Sequence, residues 1–431
     1  METAYINLWN NRVGAVAWNA ERGVGTFQFE PSFLKSNLDI APLKIQLGQT
    51  GNQPKSFPEL RNSPAFKGLP GLLADSLPDK YGNALINTWL ARKGRPSDSM
   101  NPVEMLCFIG KRGMGALEFE PAFPKGPDSS SLVEIGSLVK IANEILSGRQ
   151  DFTTNLSGNE QKALLDILKI GTSAGGARAK ALIAFNPETG EVRSGQVDAP
   201  KGFAHWIIKF DGVADSQFGT SDGYGRVEMA YHLMAEAAEI EMTECRLLEE
   251  EGRSHFMTRR FDRDPDHGKI HMQSFCAMQH YDFTDIASFS YEQLFETMRM
   301  LGLPYPEAEQ LFRRMVFNVL ARNCDDHSKN SAFLMDHSGR WRLSPAFDVC
   351  HSFRPGSIWV SQQSLSVNGK RKDITRNDFL SLAKSMNIRR AGSILSRIND
   401  VIKGWPGFAE QTRVRPELRD SISATLIDLN G

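Results

Sequence analysis

From Pro306 onward, apolar residues fall at Leu311, Phe312, Met315, Val316, Val319 and Leu320, the three-and-four spacing of a helix that buries one face. Pro306 suits a first helical turn, and Glu307 and Glu309 complement its dipole. After Asn330 the period shortens to two. Residues 331–335 and 340–344 read as short strands joined by the turn Asp336-His337-Ser338-Gly339, and Pro345-Ala346-Phe347-Asp348 follows. The order is therefore helix, polar loop, hairpin, aspartate. Upstream, residues 5–9, 13–18 and 26–29 read as strands, the first two flanking the turn signal Asn10-Asn11. Residues 72–110 read as mostly helical, 116–120 as a strand entered through a glycine-rich turn, and 121–131 as a linker. Residues 164–170 lead through a small-residue loop into a strand over 181–185. Residues 205–210 and the start of 255–263 complete the strands, a helix begins at Arg226, and the chain is chiefly helical beyond about 275.

The polar loop has a chemical reading. It runs Asn323-Cys324-Asp325-Asp326-His327-Ser328-Lys329-Asn330. Protein kinases place an aspartate and an asparagine five apart in their catalytic loop, with a second aspartate beyond a hairpin to hold Mg²⁺. Asp325, Asn330 and Asp348 have that arrangement. Because phosphoryl transfer is mainly positioning and charge neutralisation, a base, an amide oxygen and a carboxylate suffice for it. The same residue types also make an ordinary solvated loop, and the motif alone has a high false-positive rate. The loop over 171–180, with Ser173, Ala174, Gly175, Gly176, Ala177 and Lys180, could let backbone amides approach phosphates, or serve only as a hairpin turn. Lys209 sits among large apolar residues of its strand, either as a phosphate ligand paired with Glu228 or on an edge strand, pointing outward. Gly110-Lys111-Arg112-Gly113-Met114-Gly115 fits no phosphate-loop pattern and reads as a turn.

Composition narrows the class. The chain has 431 residues, 41% hydrophobic and 23% charged, with a formal net charge of -1; this is an ordinary globular balance and excludes a strongly basic nucleic-acid binder. A local basic bias does run through Lys370, Arg371, Lys372, Arg376, Lys384, Arg389, Arg390, Arg397 and Lys403, either a solvated face or a nucleic-acid contact. Five cysteines with no CxxC pair argue against a disulfide framework or a zinc site. Together with the lack of a signal sequence or a membrane-length apolar run, they give a cytoplasmic expectation.

Five motifs in order, residues 173–180, 207–209, 260–263, 325–330 and 343–348, together with 73–79, resemble the HipA family of bacterial serine/threonine kinases. The resemblance runs nearly end to end. It implies an α+β, two-lobed, protein-kinase-like fold with an N-terminal α/β region of β-rich subdomains and an all-helical C-terminal lobe. The implied segments are 1–125 (N-terminal subdomain), 126–275 (nucleotide-binding lobe) and 276–431 (catalytic lobe). It implies an ATP- and Mg²⁺-dependent kinase that is the toxin of a toxin–antitoxin pair. Asp325 would be the base, with Asn330 and Asp348 on the metal. Ser173, Ala174, Gly175, Gly176, Ala177, Lys180, Lys209, His327 and Lys329 would bind ATP, as would the backbone at Arg259 and Phe261, with Asp262 near the ribose. Ser173 would be autophosphorylated. Implied partners are a HipB-type helix-turn-helix antitoxin, operator DNA through that antitoxin, and a protein of translation such as an aminoacyl-tRNA synthetase, acting with tRNA. Asp326 stands where the family commonly has glycine and adds a carboxylate beside the base, to touch the metal or to raise the pKa of Asp325. Arg259 replaces a familiar glutamate. Other readings are a small-molecule kinase on the same fold and a catalytically silent co-repressor bound to an antitoxin on DNA.

Overall fold

The computed structural model describes residues 2–50, 53–123, 130–146, 158–171, 178–195, 199–215, 219–220, 222–264 and 268–429. The chain packs into two compact units. One contains Met1–Leu38, Leu47–Gly225 and Glu244–His271, the other Asp39–Gln46, Arg226–Thr243 and Met272–Gly431.

Two larger antiparallel sheets organise the first unit. The N-terminal one has the order Val24–Phe29, Asn11–Asn19, Thr3–Leu8, Leu117–Glu120. Its first hairpin turns one residue earlier than the sequence suggests: Trp9 and Asn10 take φ 49° and 64° while Leu8 pairs with Asn11. Positive φ at both central positions matches the right-handed twist of the strands, and asparagine tolerates it. The helix Pro102–Ile109 packs on this sheet, started by a capping box between Asn101 and Glu104 and buried at every other position. Burial on all sides is what its nearly unbroken apolar sequence requires.

The larger sheet has the order Cys245–Glu250, Arg253–Arg259, Ala204–Lys209, Lys180–Phe185, Val192–Ser194. Ala181, Ile183, Phe185, Trp206, Ile208 and Met257 lie on one face, in a single core with the helices Lys80–Arg92, Ile135–Leu146 and Gly158–Ile170. Side chains alternate along a strand, so Lys180, Leu182, Ala184, Ile207 and Lys209 project from the other face. The strand bearing Lys209 lies in the middle of the sheet, not at its edge.

The second unit is mainly helical. The helix Tyr305–Leu320 runs through it, buried at Leu311, Phe312, Met315, Val316, Phe317, Val319 and Leu320, the stripe its periodicity dictates. Tyr231, on the helix Tyr224–Ala237, packs edge-on against Phe317 and Trp405 and donates its hydroxyl to the Ala321 carbonyl at 2.6 Å. This part of the chain is not all helix. A three-stranded sheet in the order His271–Ser274, Ala332–Met335, Trp341–Leu343 interrupts it, because the residues after Asn330 bury both faces of a two-residue period. The five cysteines are free and buried, and among the described residues no helix is long and apolar enough to cross a membrane.

Candidate functional site

The polar loop leaves the helix Tyr305–Leu320 through Arg322, which takes φ 56°, and closes in the single turn Ser328–Asn330. His327 caps that turn: its Nδ1 accepts from the Lys329 amide at 3.3 Å, and its ring leans on Phe283 at 5.2 Å. Its Nε2 thereby faces the Asp325 carboxylate at 3.7 Å, and Asp325 itself is half-exposed. The Lys329 ammonium lies 5.2 Å from the Phe283 ring. Asn330 Nδ2 donates to the Asp325 carbonyl at 2.7 Å. That bond fixes the backbone that carries Asp325, and it commits the amide nitrogen so that Oδ1 is the end left to accept or ligate.

Asp326 turns the opposite way and is buried. It accepts from Tyr291 OH at 2.8 Å, Gln363 Nε2 at 3.0 Å and the Ser364 amide at 2.7 Å. A metal contact requires a carboxylate that can reach the ion, and three protein donors hold this one inside the fold, so that expectation for Asp326 does not hold. It clamps the loop from behind. Burial pushes its pKa up to about 6, against the pull of those donors. An acid whose folded pKa lies above its unfolded value stabilises the fold most at low pH, and that contribution is lost as pH rises through about 6. The unfolding free energy of the wild type relative to Asp326→Asn is therefore expected to shrink by roughly 1 kcal/mol between about pH 5 and about pH 7. Denaturant titrations at the two values test this; a constant difference would remove Asp326 as a titrating group.

Asp348 follows the hairpin at φ 53°, a left-handed backbone that aspartate tolerates better than most residues. The segment before it is pinned: the Ala346 amide donates to the Glu241 carbonyl at 2.8 Å, within a parallel bridge between Met242 and Ala346. Among the described residues no three His, Cys, Asp or Glu side chains gather as a metal site. Mg²⁺ does not need such a cluster, since it is commonly held by one or two carboxylates together with substrate phosphates. An Asp348 carboxylate with the Asn330 Oδ1 is a fitting donor set.

In the first unit, Lys180 and Lys209 stand directly opposite each other on adjacent strands, and Phe256 faces Lys209 on the next. The Lys209 ammonium lies 5.8 Å from the Phe256 ring. Facing like charges on a sheet are unfavourable by themselves, and each lysine has further partners of its own. Ser173, Ala174, Gly175, Gly176 and Ala177 lie outside the described residues. The Arg259 amide already donates to the Glu244 carbonyl at 2.9 Å, so it cannot also donate to an adenine. Phe261 is half-buried in the turn that follows the strand.

Asp262 requires a correction. It is fully buried, and its carboxylate is taken by Arg260 Nε at 2.9 Å and Nη2 at 2.7 Å, Arg263 Nη1 at 2.9 Å and the Gly115 amide at 2.6 Å. Burial alone would raise its pKa, but the Arg260 and Arg263 guanidiniums hold it well below the carboxylate range. A carboxylate enclosed in this way has no ribose to reach. The glycine turn at 113–115 is its cradle: Gly113 and Gly115 carbonyls also accept from Arg263 at 3.1 and 3.0 Å. The partners are visible in sequence, since Arg260 and Arg263 flank Asp262; the cradle, far upstream, is not. Much of the basic bias after 366 is likewise internal. Lys370 pairs with Asp378 at 2.9 Å, Arg390 with Glu309 at 2.9 Å and Lys403 with Asp428 at 3.1 Å, while Arg397 donates to the Ala237 carbonyl at 3.1 Å.

An antiparallel sheet over helices, a mainly helical unit, and an Asp/Asn loop followed by a hairpin and an aspartate define a mixed α+β protein of kinase-like fold. Residues 4–120 match the family model of the HipA N-terminal domain and residues 172–405 that of the HipA-like C-terminal domain. The chain belongs to the HipA family. Among solved structures it is similar to a chain of the Shewanella oneidensis MR-1 toxin–antitoxin complex of HipA, HipB and operator DNA. The TM-score is 0.67 at 16% identity, over 98% of this chain and 94% of that one; at that identity the likeness speaks for the fold alone. A Helicobacter pylori proinflammatory kinase, CtkA, matches at TM-score 0.32 and 14% identity over 52% of this chain and 89% of that one, too distantly to carry weight. No curated relative matches the chain.

Proposed function

We propose that this HipA-family protein is an ATP- and Mg²⁺-dependent serine/threonine protein kinase and the toxin of a toxin–antitoxin pair. The observation that carries the reading is the bond from Asn330 to the Asp325 backbone. It presents one carboxylate and one amide oxygen from a single rigid loop, with Asp348 on the pinned segment beyond the hairpin. In this reading Asp325 takes the proton of a substrate hydroxyl. The hydroxyl oxygen bonds to the γ-phosphorus as the β–γ bridging bond breaks, and ADP leaves. Asn330 and Asp348 would hold Mg²⁺, which neutralises charge on the phosphates. Lys180 and Lys209 hold the phosphates from the sheet, helped by the loop from Ser173 to Ala177, while His327 keeps Asp325 oriented. Ser173 accepts a phosphoryl group from the same site; a dianionic phosphoserine there cannot share space with ATP phosphates, so the modification would switch the kinase off.

The partner in this reading is a HipB-type helix-turn-helix antitoxin, with operator DNA reached through it, as HipB and DNA accompany HipA in the Shewanella complex. The target is a protein of translation such as an aminoacyl-tRNA synthetase. The test is incubation with Mg²⁺ and γ-labelled ATP in cell extract, followed by site mapping. Label is expected on protein, and intact mass should show one added phosphate that Ser173→Ala lacks. Label confined to metabolites would favour a small-molecule kinase. Unlabelled extract, with growth inhibition that persists in Asp348→Asn, would favour a co-repressor.

A further inference from the structure

Both ends of residues 353–362 rest on the catalytic loop. At one end the Ser352 amide donates to the Arg322 carbonyl at 3.0 Å, and the Cys324 amide donates to the Ser352 carbonyl at 3.2 Å. At the other, Gln363 Nε2 donates to the Asn323 carbonyl at 3.1 Å, and Ser364 Oγ donates to the Cys324 carbonyl at 3.1 Å. The Asp326 clamp holds the same two residues. Between these ends the segment is closed by its own bonds. The Arg354 amide donates to the Val360 carbonyl at 3.1 Å, and Ser357 Oγ accepts from the amides of Trp359 and Val360 at 3.2 and 3.3 Å. Phe353 lies 4.4 Å from the Arg322 guanidinium, and Val360 is buried. At the tip, Ile358 is 73% exposed, more than any other large apolar side chain among the described residues.

An isoleucine held out in water on a hydrogen-bonded loop forgoes the stabilisation that burying it would bring. A fixed tip also loses little entropy when something covers it. We propose that Ile358 and its loop dock the polypeptide being phosphorylated, by covering an apolar side chain close in sequence to the acceptor serine or threonine. The occupant follows from the ends of the loop. Because both sit on residues 322–326, whatever is pinned at Ile358 is held in fixed relation to Asp325, which an unrelated partner surface would not need. This rests on the kinase reading above and adds a source of substrate choice to it.

The experiment uses full-length protein, Mg·ATP and a positional library of peptides with one fixed serine or threonine. Wild type is expected to prefer Leu, Ile, Val, Met or Phe at one position near the acceptor, by about tenfold. In Ile358→Asp that preference should vanish and shift toward Lys or Arg at the same position, with ATP consumption in the absence of peptide unchanged. Met300→Asp, at another exposed apolar side chain, should keep the wild-type preference. The docking proposal is overturned if Ile358→Asp retains the apolar preference, if Met300→Asp loses it equally, or if wild type consumes ATP but shows no positional preference. Absence of ATP consumption as well as of peptide labelling would sink the kinase reading itself, and the docking with it.

Discussion

Asp325→Asn is expected to lower phosphoryl transfer to protein by about 10²- to 10⁴-fold, the range for loss of a positioned general base. Little else should change. The carboxylate is half-exposed, with His327 Nε2 at 3.7 Å, so the unfolding free energy should stay within about 0.5 kcal/mol of wild type. The Asn330 bond runs to the backbone carbonyl of residue 325, so the amide that would face the metal keeps its orientation, and ATP affinity by calorimetry should be preserved. Initial rates on the mapped protein substrate supply the other half of the test. Transfer at the wild-type rate would remove Asp325 from the chemistry. A matching loss of ATP binding would move it from base to ligand.

Asp262→Ala should have the largest effect on stability. It leaves two buried guanidiniums without their carboxylate and the Gly115 amide without its acceptor; breaking a buried pair from one side costs roughly 3–5 kcal/mol. Asp262→Asn keeps the shape but not the charge and should lose most of the same amount. The depressed pKa of Asp262 sets the pH behaviour: its contribution is present above the ordinary aspartate range and is lost only as pH falls through the much lower folded value. Denaturant unfolding near neutral pH, with the KM for ATP measured on the surviving folded fraction, separates the alternatives. A residue that touched the ribose would raise KM at unchanged stability, which is the opposite of the outcome expected here.

The two predictions differ because the elements around Asp325 were legible in the sequence and the surroundings of Asp262 were not. The helix Tyr305–Leu320, the hairpin and the turn at Asp336 could be read because each depends on local periodicity and turn chemistry. Asp325, Asn330 and Asp348 were singled out by spacing within one short stretch, where helix, loop and hairpin follow one another. Asp262 was misread because its motif gives its neighbours in the chain, whereas its environment comes from a glycine turn almost 150 residues upstream (Gly115 is 147 residues away). Asp326 was misread for a similar reason: Tyr291, Gln363 and Ser364 decide which way it points, and none lies near it in sequence. The pairing of Lys180 with Lys209 also escaped, since register across strands is set by the whole hydrophobic pattern and not by either strand alone.

The same clamps bear on how the chain is made. The loop at 323–330 takes its shape from Tyr281, Tyr291, Ser352, Gln363 and Ser364, and the residue that opens it, Arg322, is held by the Thr425 carbonyl at 2.9 Å. Such long-range pairings are satisfied late, after the distant segments have been synthesised. A nascent chain that has emerged only as far as residue 350 carries the two aspartates and Tyr291, but not Gln363 and Ser364, which complete the clamp on Asp326. Whatever reaction this loop performs therefore cannot start until the segments that carry Gln363, Ser364 and Thr425 have left the ribosome.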